Sequence, residues 1–365
     1  MRNYAIAFAV PVFFFACSTS SNPGPGSGSG DSGTASNGSD GGSQASHDAA
    51  IDDDGFFTGF PDGGGPPPPP PPPPKDAGGG WAAWVGGHGA IGQTRDDYAS
   101  WQTRNVGTTD LYSVACVGAD IGWTAGAGGF VAHTEDGGMT WAAQDAHLGA
   151  SLRTIRFGTT ALGVVAGDGG ALAVTSDGGA SWRPVTTSTT ASLRGAAVAA
   201  DVGVMLVVGD GGIVLRSADA GGSWTRSAIP GGADLRGVAT DRGAHLVLTV
   251  DRAGAVWSSV DTGRTFRREA IAGASLEAVA LADSGTSALA VGARGTALAR
   301  DAQGTWTALS TGTTADLHAA LITDADARRY VGGDLGTLRM SVDVGASWST
   351  VATSTSEAIY GLEDL

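Results

Sequence analysis

Apolar residues along this chain fall in short runs separated by glycine-rich breaks. Between positions 152 and 185 four such runs follow one another, at 152–157, 162–166, 171–175 and 181–185. Runs this short, bounded by Gly and Asp-Gly, read as β-strands, and no stretch sustains a helical period. The break between the second and third runs is Gly167-Asp168-Gly169-Gly170, and it recurs as Gly209-Asp210-Gly211-Gly212. Such residues supply the positive φ of a tight hairpin. A further motif recurs between the third and fourth runs, as in Thr134-Glu135-Asp136-Gly137-Gly138-Met139-Thr140-Trp141 and Thr175-Ser176-Asp177-Gly178-Gly179-Ala180-Ser181-Trp182. Its aspartates are Asp96, Asp136, Asp177, Asp219, Asp261, Asp301 and Asp343, spaced 40, 41, 42, 42, 40 and 42 residues apart. Its aromatic positions are Trp101, Trp141, Trp182, Trp224, Phe266, Trp306 and Trp348. Four strands in about forty residues make a propeller blade. Seven copies predict an all-β fold, a seven-bladed β-propeller over 81–365.

The ends of the repeat array predict how the ring closes. The first copy begins at Trp81-Ala82-Ala83-Trp84-Val85, which matches a second strand and leaves the first strand missing. Ile359-Tyr360-Gly361-Leu362-Glu363 matches the missing strand, by comparison with Leu193-Arg194-Gly195-Ala196 and Leu235-Arg236-Gly237-Val238. The C-terminal strand is therefore expected to complete the first blade and remove an open sheet edge.

The residue types of the motif have physical reasons. The aspartate accepts hydrogen bonds from the turn it occupies, glycine supplies positive φ, and the aromatic ring packs on a neighbouring sheet. Tyr98 and Gln303 depart from the pattern at the glycine, and Phe266 at the tryptophan. The motif resembles the Asp-box of sialidase-like and related propellers. The whole of 81–365 also resembles the photosystem II stability/assembly-factor-like (BNR-type) repeat family, on Ile121-Gly122-Trp123-Thr124-Ala125-Gly126, Gly129-Phe130-Val131 and Asp136-Gly137-Gly138-Met139-Thr140-Trp141. The resemblance implies a seven-bladed propeller, and a binding or assembly role more than a chemistry.

Composition adds an address. Arg2 precedes an apolar run from Tyr4 to Ala16, too short to span a bilayer and suited to a secretion signal over 1–16. Phe14-Phe15-Ala16-Cys17 resembles the lipobox of bacterial lipoproteins, in which Cys17 would become the lipidated first residue. Ser18 fits sorting to the outer membrane, on its periplasmic or cell-surface face. Residues 17–80 are rich in Ser, Gly, Asp and Pro and cannot offset their own chain entropy. Nine consecutive prolines, Pro66 to Pro74, predict a stiff spacer of roughly 28 Å. The segment is expected to act as a tether between lipid and propeller, giving a membrane-anchored monomer. Cys116 falls in a core column with Phe157, Val198 and Leu281, so no disulfide is expected. One lysine against 20 arginines and a formal charge of −15 argue against a nucleic-acid partner.

Candidate chemistry concentrates in one column. The second residue of each first strand, which should line the central channel, reads Tyr112, Arg153, Arg194, Arg236, Glu277, His318 and Tyr360. The next residue is always small: Ser113, Thr154, Gly195, Gly237, Ala278, Ala319 and Gly361. Three arginines on adjacent blades suit a carboxylate, phosphate or peptide terminus. The alternative is that these groups solvate the channel and pair with nearby carboxylates. His47, His88, His133, His147, His245 and His318 show no ligand spacing, so neither a metal nor a cofactor is expected. No catalytic constellation is legible. The leading expectation is a non-catalytic binding scaffold for a protein or anionic ligand. The alternatives are a sialidase-like glycoside hydrolase, for which the six-bladed family's F/Y-R-I-P motif is absent, and a structural surface lipoprotein without a specific ligand.

Overall fold

The computed structural model describes residues 82–95, 100–118, 120–323 and 328–364. The signal segment, Cys17, the tether, Trp81 and the first motif aspartate Asp96 lie outside the described residues. Within them the chain folds into seven antiparallel four-stranded sheets. The innermost strands, beginning with the one that completes blade 1, are Ile359–Asp364, Leu111–Val117, Leu152–Phe157, Leu193–Ala199, Leu235–Thr240, Leu276–Leu281 and Leu317–Ile322. Each packs beside the innermost strand of the next blade, and the last beside the first, which makes a closed ring.

Closure occurs as the repeats predict. Ile359–Asp364 pairs antiparallel with Ala82–Gly86, with Leu362 opposite Trp84. Ile359, Leu362 and Trp84 are buried together with Tyr330 and Leu338 of blade 7. Strand bounds shift slightly from expectation. In blade 3 the outer strands are Gly163–Gly167, Leu172–Thr175 and only Arg183–Pro184. Ser181, expected in the last strand, instead donates its backbone N–H and its hydroxyl to Asp177, at 2.9 and 2.5 Å. The turn motif holds it out of the ladder.

Apolar layers lie between blades. Ala115, Trp123 and Val131 of blade 2 pack on Leu152, Ile155, Val165 and Trp182 of blade 3. Cys116 is buried with Val85, Ile91 and Val114 in the preceding layer, and burial pushes its thiol pKa up. It behaves as a small core residue.

One backbone irregularity recurs in every blade. Each innermost strand slips register at its second residue: Leu152 faces Gly167, but Thr154 faces Ala166, so Arg153 has no partner. The same slip leaves Tyr112, Arg194, Arg236, Glu277, His318 and Tyr360 unpaired. A β-bulge bends the strand and re-aims the extra side chain. Here it turns one residue per blade toward the axis.

Candidate functional site

All seven bulge residues line one central cavity of about 110 Å³. The small residues that follow them, from Ser113 to Gly361, form its wall. The column singled out in the sequence is therefore a physical ring, assembled by one bulge per blade.

The ring is internally paired, unevenly. Arg153 grips Asp168 with a fork, Nε to Oδ1 at 3.1 Å and Nη2 to Oδ2 at 2.6 Å, and its guanidinium lies 4.5 Å from the centre of the Tyr112 ring. The hydrogen bond from Arg153 holds the Asp168 carboxyl below its ordinary pKa. Arg194 grips Asp210 in the same way, at 3.1 and 2.9 Å. His318 Nε2 lies 2.8 Å from Asp334 Oδ1, and its ring is 5.5 Å from that of Tyr360. Tyr360 in turn meets Tyr112 edge-on at 5.8 Å, and burial raises its phenol pKa. Arg236 differs. Its Nε is 3.5 Å from Glu277 Oε2 on the next blade, and that buried nitrogen has no hydrogen-bond partner.

The partners Asp168, Asp210 and Asp334 were not among the residues expected at the site. They share one place, the first residue of the hairpin turn, 15 or 16 positions after the ring residue of the same blade. Reading that second column against the first would have found them. Below the ring the channel holds another unexpected pair, Arg156 and Glu363, 3.7 Å apart. Arg156 Nη1 also donates to the carbonyls of Val114 and Ile155, at 2.8 and 3.0 Å. Burial raises the Glu363 carboxyl pKa, and the Arg156 charge opposes that rise.

The Asp-box aspartates lie in the turns at the other end of the blades. Asp136 accepts from the Thr134 hydroxyl at 2.8 Å, and from the Thr140 N–H and hydroxyl at 2.9 and 2.6 Å. The pattern repeats at Asp177, Asp219, Asp261 and Asp343. Asp301 accepts from the backbone N–H groups of Gln303 and Thr305, at 3.0 and 2.8 Å, and Ala299 stands where the other turns carry the first hydroxyl donor. Trp141, Trp224 and Trp348 donate Nε1–H to the carbonyl of their own motif glycine, at 3.1 to 3.2 Å. Among the described residues no group of three His, Cys, Asp or Glu side chains is placed to hold a metal ion.

Seven sheets, six of them carrying this turn among the described residues, define a BNR-type β-propeller with a polar ring in its channel. More particularly, residues 141–319 match the family described as photosynthesis system II assembly factor YCF48. Solved structures agree on the fold. One titled "YCF48 bound to D1 peptide" has 18% identity and a TM-score of 0.55, over 69% of this chain and 84% of its own. YCF48 from Cyanidioschyzon merolae has 14% identity and a TM-score of 0.54, over 68% and 87%. The resemblance to the photosystem II assembly-factor-like propellers is thereby shown for the fold and the repeat. No curated protein matches the chain.

Proposed function

We propose that this chain is a non-catalytic, membrane-anchored propeller that binds a protein partner at the ring-lined mouth of its channel. The observation that carries the reading is the bulge column. The fold repeats one backbone irregularity in every blade, yet the side chain it presents differs from Tyr to Arg to Glu to His. Uniform architecture would ask only for residues that fit; seven polar side chains of four kinds converging on one mouth suit recognition of a partner with its own polarity. The relative solved with D1 peptide supports a peptide or protein as the partner class.

The cavity, about 110 Å³, is well below the roughly 300–1,000 Å³ of small-molecule sites. It admits a terminal group presented by a larger partner better than a sugar ring. A glycosidase also needs a carboxyl kept protonated as general acid. Asp168 at the mouth is held in the opposite sense by Arg153, and Glu363, the carboxyl that burial raises, lies below the ring against the Arg156 cation. These points favour a scaffold over the sialidase-like alternative.

Cys17 carries the anchoring part of the proposal, with the tether between lipid and propeller. Labelling cells with radioactive palmitate should mark the native chain and leave Cys17→Ser unlabelled and released from membranes. For binding, the test is crosslinking in the native cell followed by mass spectrometry. The native chain should capture a partner that an Arg153, Arg194 and Arg236 triple-alanine variant captures several-fold less. Equal capture by both would remove the ring from the function.

A further inference from the structure

The three ring arginines are not equivalent, and their differences follow a column of the sequence. In blades 3 and 4 the residue at the start of the hairpin turn is Asp168 or Asp210, and each closes a two-pronged pair with the arginine of its own blade. In blade 5 the same place holds Arg252. Arg236 therefore lacks an acid from its own blade and has a second cation there instead. Its charged neighbour is Glu277 of blade 6, at 3.5 Å, longer than a hydrogen bond. Glu277 is itself held by the Ser275 hydroxyl, 2.8 Å from Oε1. Arg236 is the most buried of the three, with its side chain 12% exposed, against 31% for Arg153 and 27% for Arg194. Its Nε is buried without an acceptor.

A buried charged donor without an acceptor is costly, and a guanidinium is best satisfied by a carboxylate that takes two parallel N–H groups. The Asp-paired arginines already have that arrangement. We propose that Arg236 is the ring arginine that receives a carboxylate from the bound partner, with Glu277 as an intramolecular competitor for the same guanidinium. The inference rests on the scaffold reading above and narrows it to one residue and one ligand chemistry. Size supports a terminal group. A cavity of about 110 Å³ has the volume of about four waters at roughly 30 Å³ each, enough for a carboxylate and a small side chain. Arg252 on the turn adds attraction for an anion without supplying an acceptor.

The experiment uses the full chain with its arginine side-chain Nε–H groups observed by NMR. Three probes are titrated: N-acetylalanine, with a terminal carboxylate; N-acetylaspartic diamide opened at its side-chain amide, with a side-chain carboxylate; and N-acetylalaninamide, with none. The carboxylate probes should move the Arg236 signal, and the amide should not. The tighter of the two acids identifies a chain terminus or an acidic side chain as the source. Glu277→Gln should bind the acid about three- to fivefold more tightly, the scale of a partly exposed ion pair removed. Arg236→Gln should lose binding, and Arg236→Lys, which keeps charge but not the fork, should weaken it. Preferential movement of the Arg153 or Arg194 signals, equal response to acid and amide, or no gain in Glu277→Gln would overturn the proposal. Partner capture that needs the ring but shows none of these effects would leave the scaffold reading standing and this one refuted.

Discussion

At the scale of single residues, the Asp-box explains both order and acid sensitivity. Hydrogen bonds to the ionised carboxylate lower its pKa. The Ser181 hydroxyl and N–H bring Asp177 to about 2, and the Ser223 N–H with the Ser217 and Ser223 hydroxyls bring Asp219 to about 2. Ser347 does the same for Asp343, again to about 2. The direction of linkage follows. A carboxyl whose folded pKa lies below its unfolded value of about 3.9 adds stability above that pH and loses it as pH falls through the folded value. The urea midpoint should therefore stay level above about pH 4.5 and drop between about pH 4 and pH 2. A double variant, Asp219→Asn with Asp343→Asn, should start lower at neutral pH and show a shallower drop. An unchanged slope in the acid limb would contradict the assignment. A second residue-scale constraint sits beside the ring. A Cβ on Gly167 would lie 2.0 Å from the Ser151 carbonyl oxygen, a backbone atom with little room to yield. Gly167→Ala should lower stability by about 1–3 kcal/mol in urea denaturation. Blade 5 shows that this limit is local: Asp251 occupies the same column, its carboxylate held by the Ala255 N–H and Trp257 Nε1, both at 2.8 Å.

At the scale of elements, the motif turns of blades 2 to 5 also serve the blade before them. Gln93 and Arg104 of blade 1 donate to the carbonyls of Gly138 and Met139 in the blade 2 turn, at 2.7 and 2.9 Å. Gln144 reaches Gly178, and Arg183 reaches Gly221, at 3.3 and 2.6 Å. Arg216 clasps Thr262 through its carbonyl and hydroxyl, both at 2.7 Å. The aspartate shapes the turn from within, so that its carbonyls face outward as acceptors for the preceding sheet. Arg216→Met keeps much of the apolar stem but removes both donors. It should cost about 1–2 kcal/mol in denaturant unfolding, whereas Arg267→Met, which removes an exposed arginine, should be near neutral. These staples explain what the sequence showed and what it hid. Strand number, hairpin turns and the motif were legible because they recur at a fixed period. The ring column was legible because its polar side chains interrupt an otherwise apolar strand. The bulge was not, since register belongs to the backbone pairing of two strands and leaves no residue type of its own. The Arg153–Asp168 and Arg194–Asp210 pairs were written in two columns that become neighbours only once the hairpin folds back. Arg156 and Glu363 come from blades with another blade between them, so no local pattern joins them.

At the scale of the whole molecule, the seven layers form a closed circuit, and one short strand completes it. Ile359–Asp364 supplies the innermost strand of blade 1 while following blade 7 in sequence. Its backbone pairs with Ala82–Gly86, and its side chains Ile359 and Leu362 fill the layer shared with Tyr330 and Leu338. Glu363 adds the ion pair to Arg156 of blade 3 inside the channel. Removing residues 359–365 would expose Trp84, now fully buried, and leave two open edges in a fold whose other inner strands are all flanked. The two apolar side chains alone contribute about 3–6 kcal/mol of burial. With a shift of about 2–4 °C per kcal/mol for a domain of this order, the truncated chain should melt at least about 6 °C lower, or lose a cooperative transition. A synthetic peptide of residues 357–365 added in excess should restore part of the loss, because binding to the folded ring alone stabilises it by mass action. Glu363→Gln in the intact chain should give only a small change, which separates the ion pair from strand addition. A truncated chain with the native melting curve would mean that the circuit is held by its other six interfaces and that the last strand is dispensable.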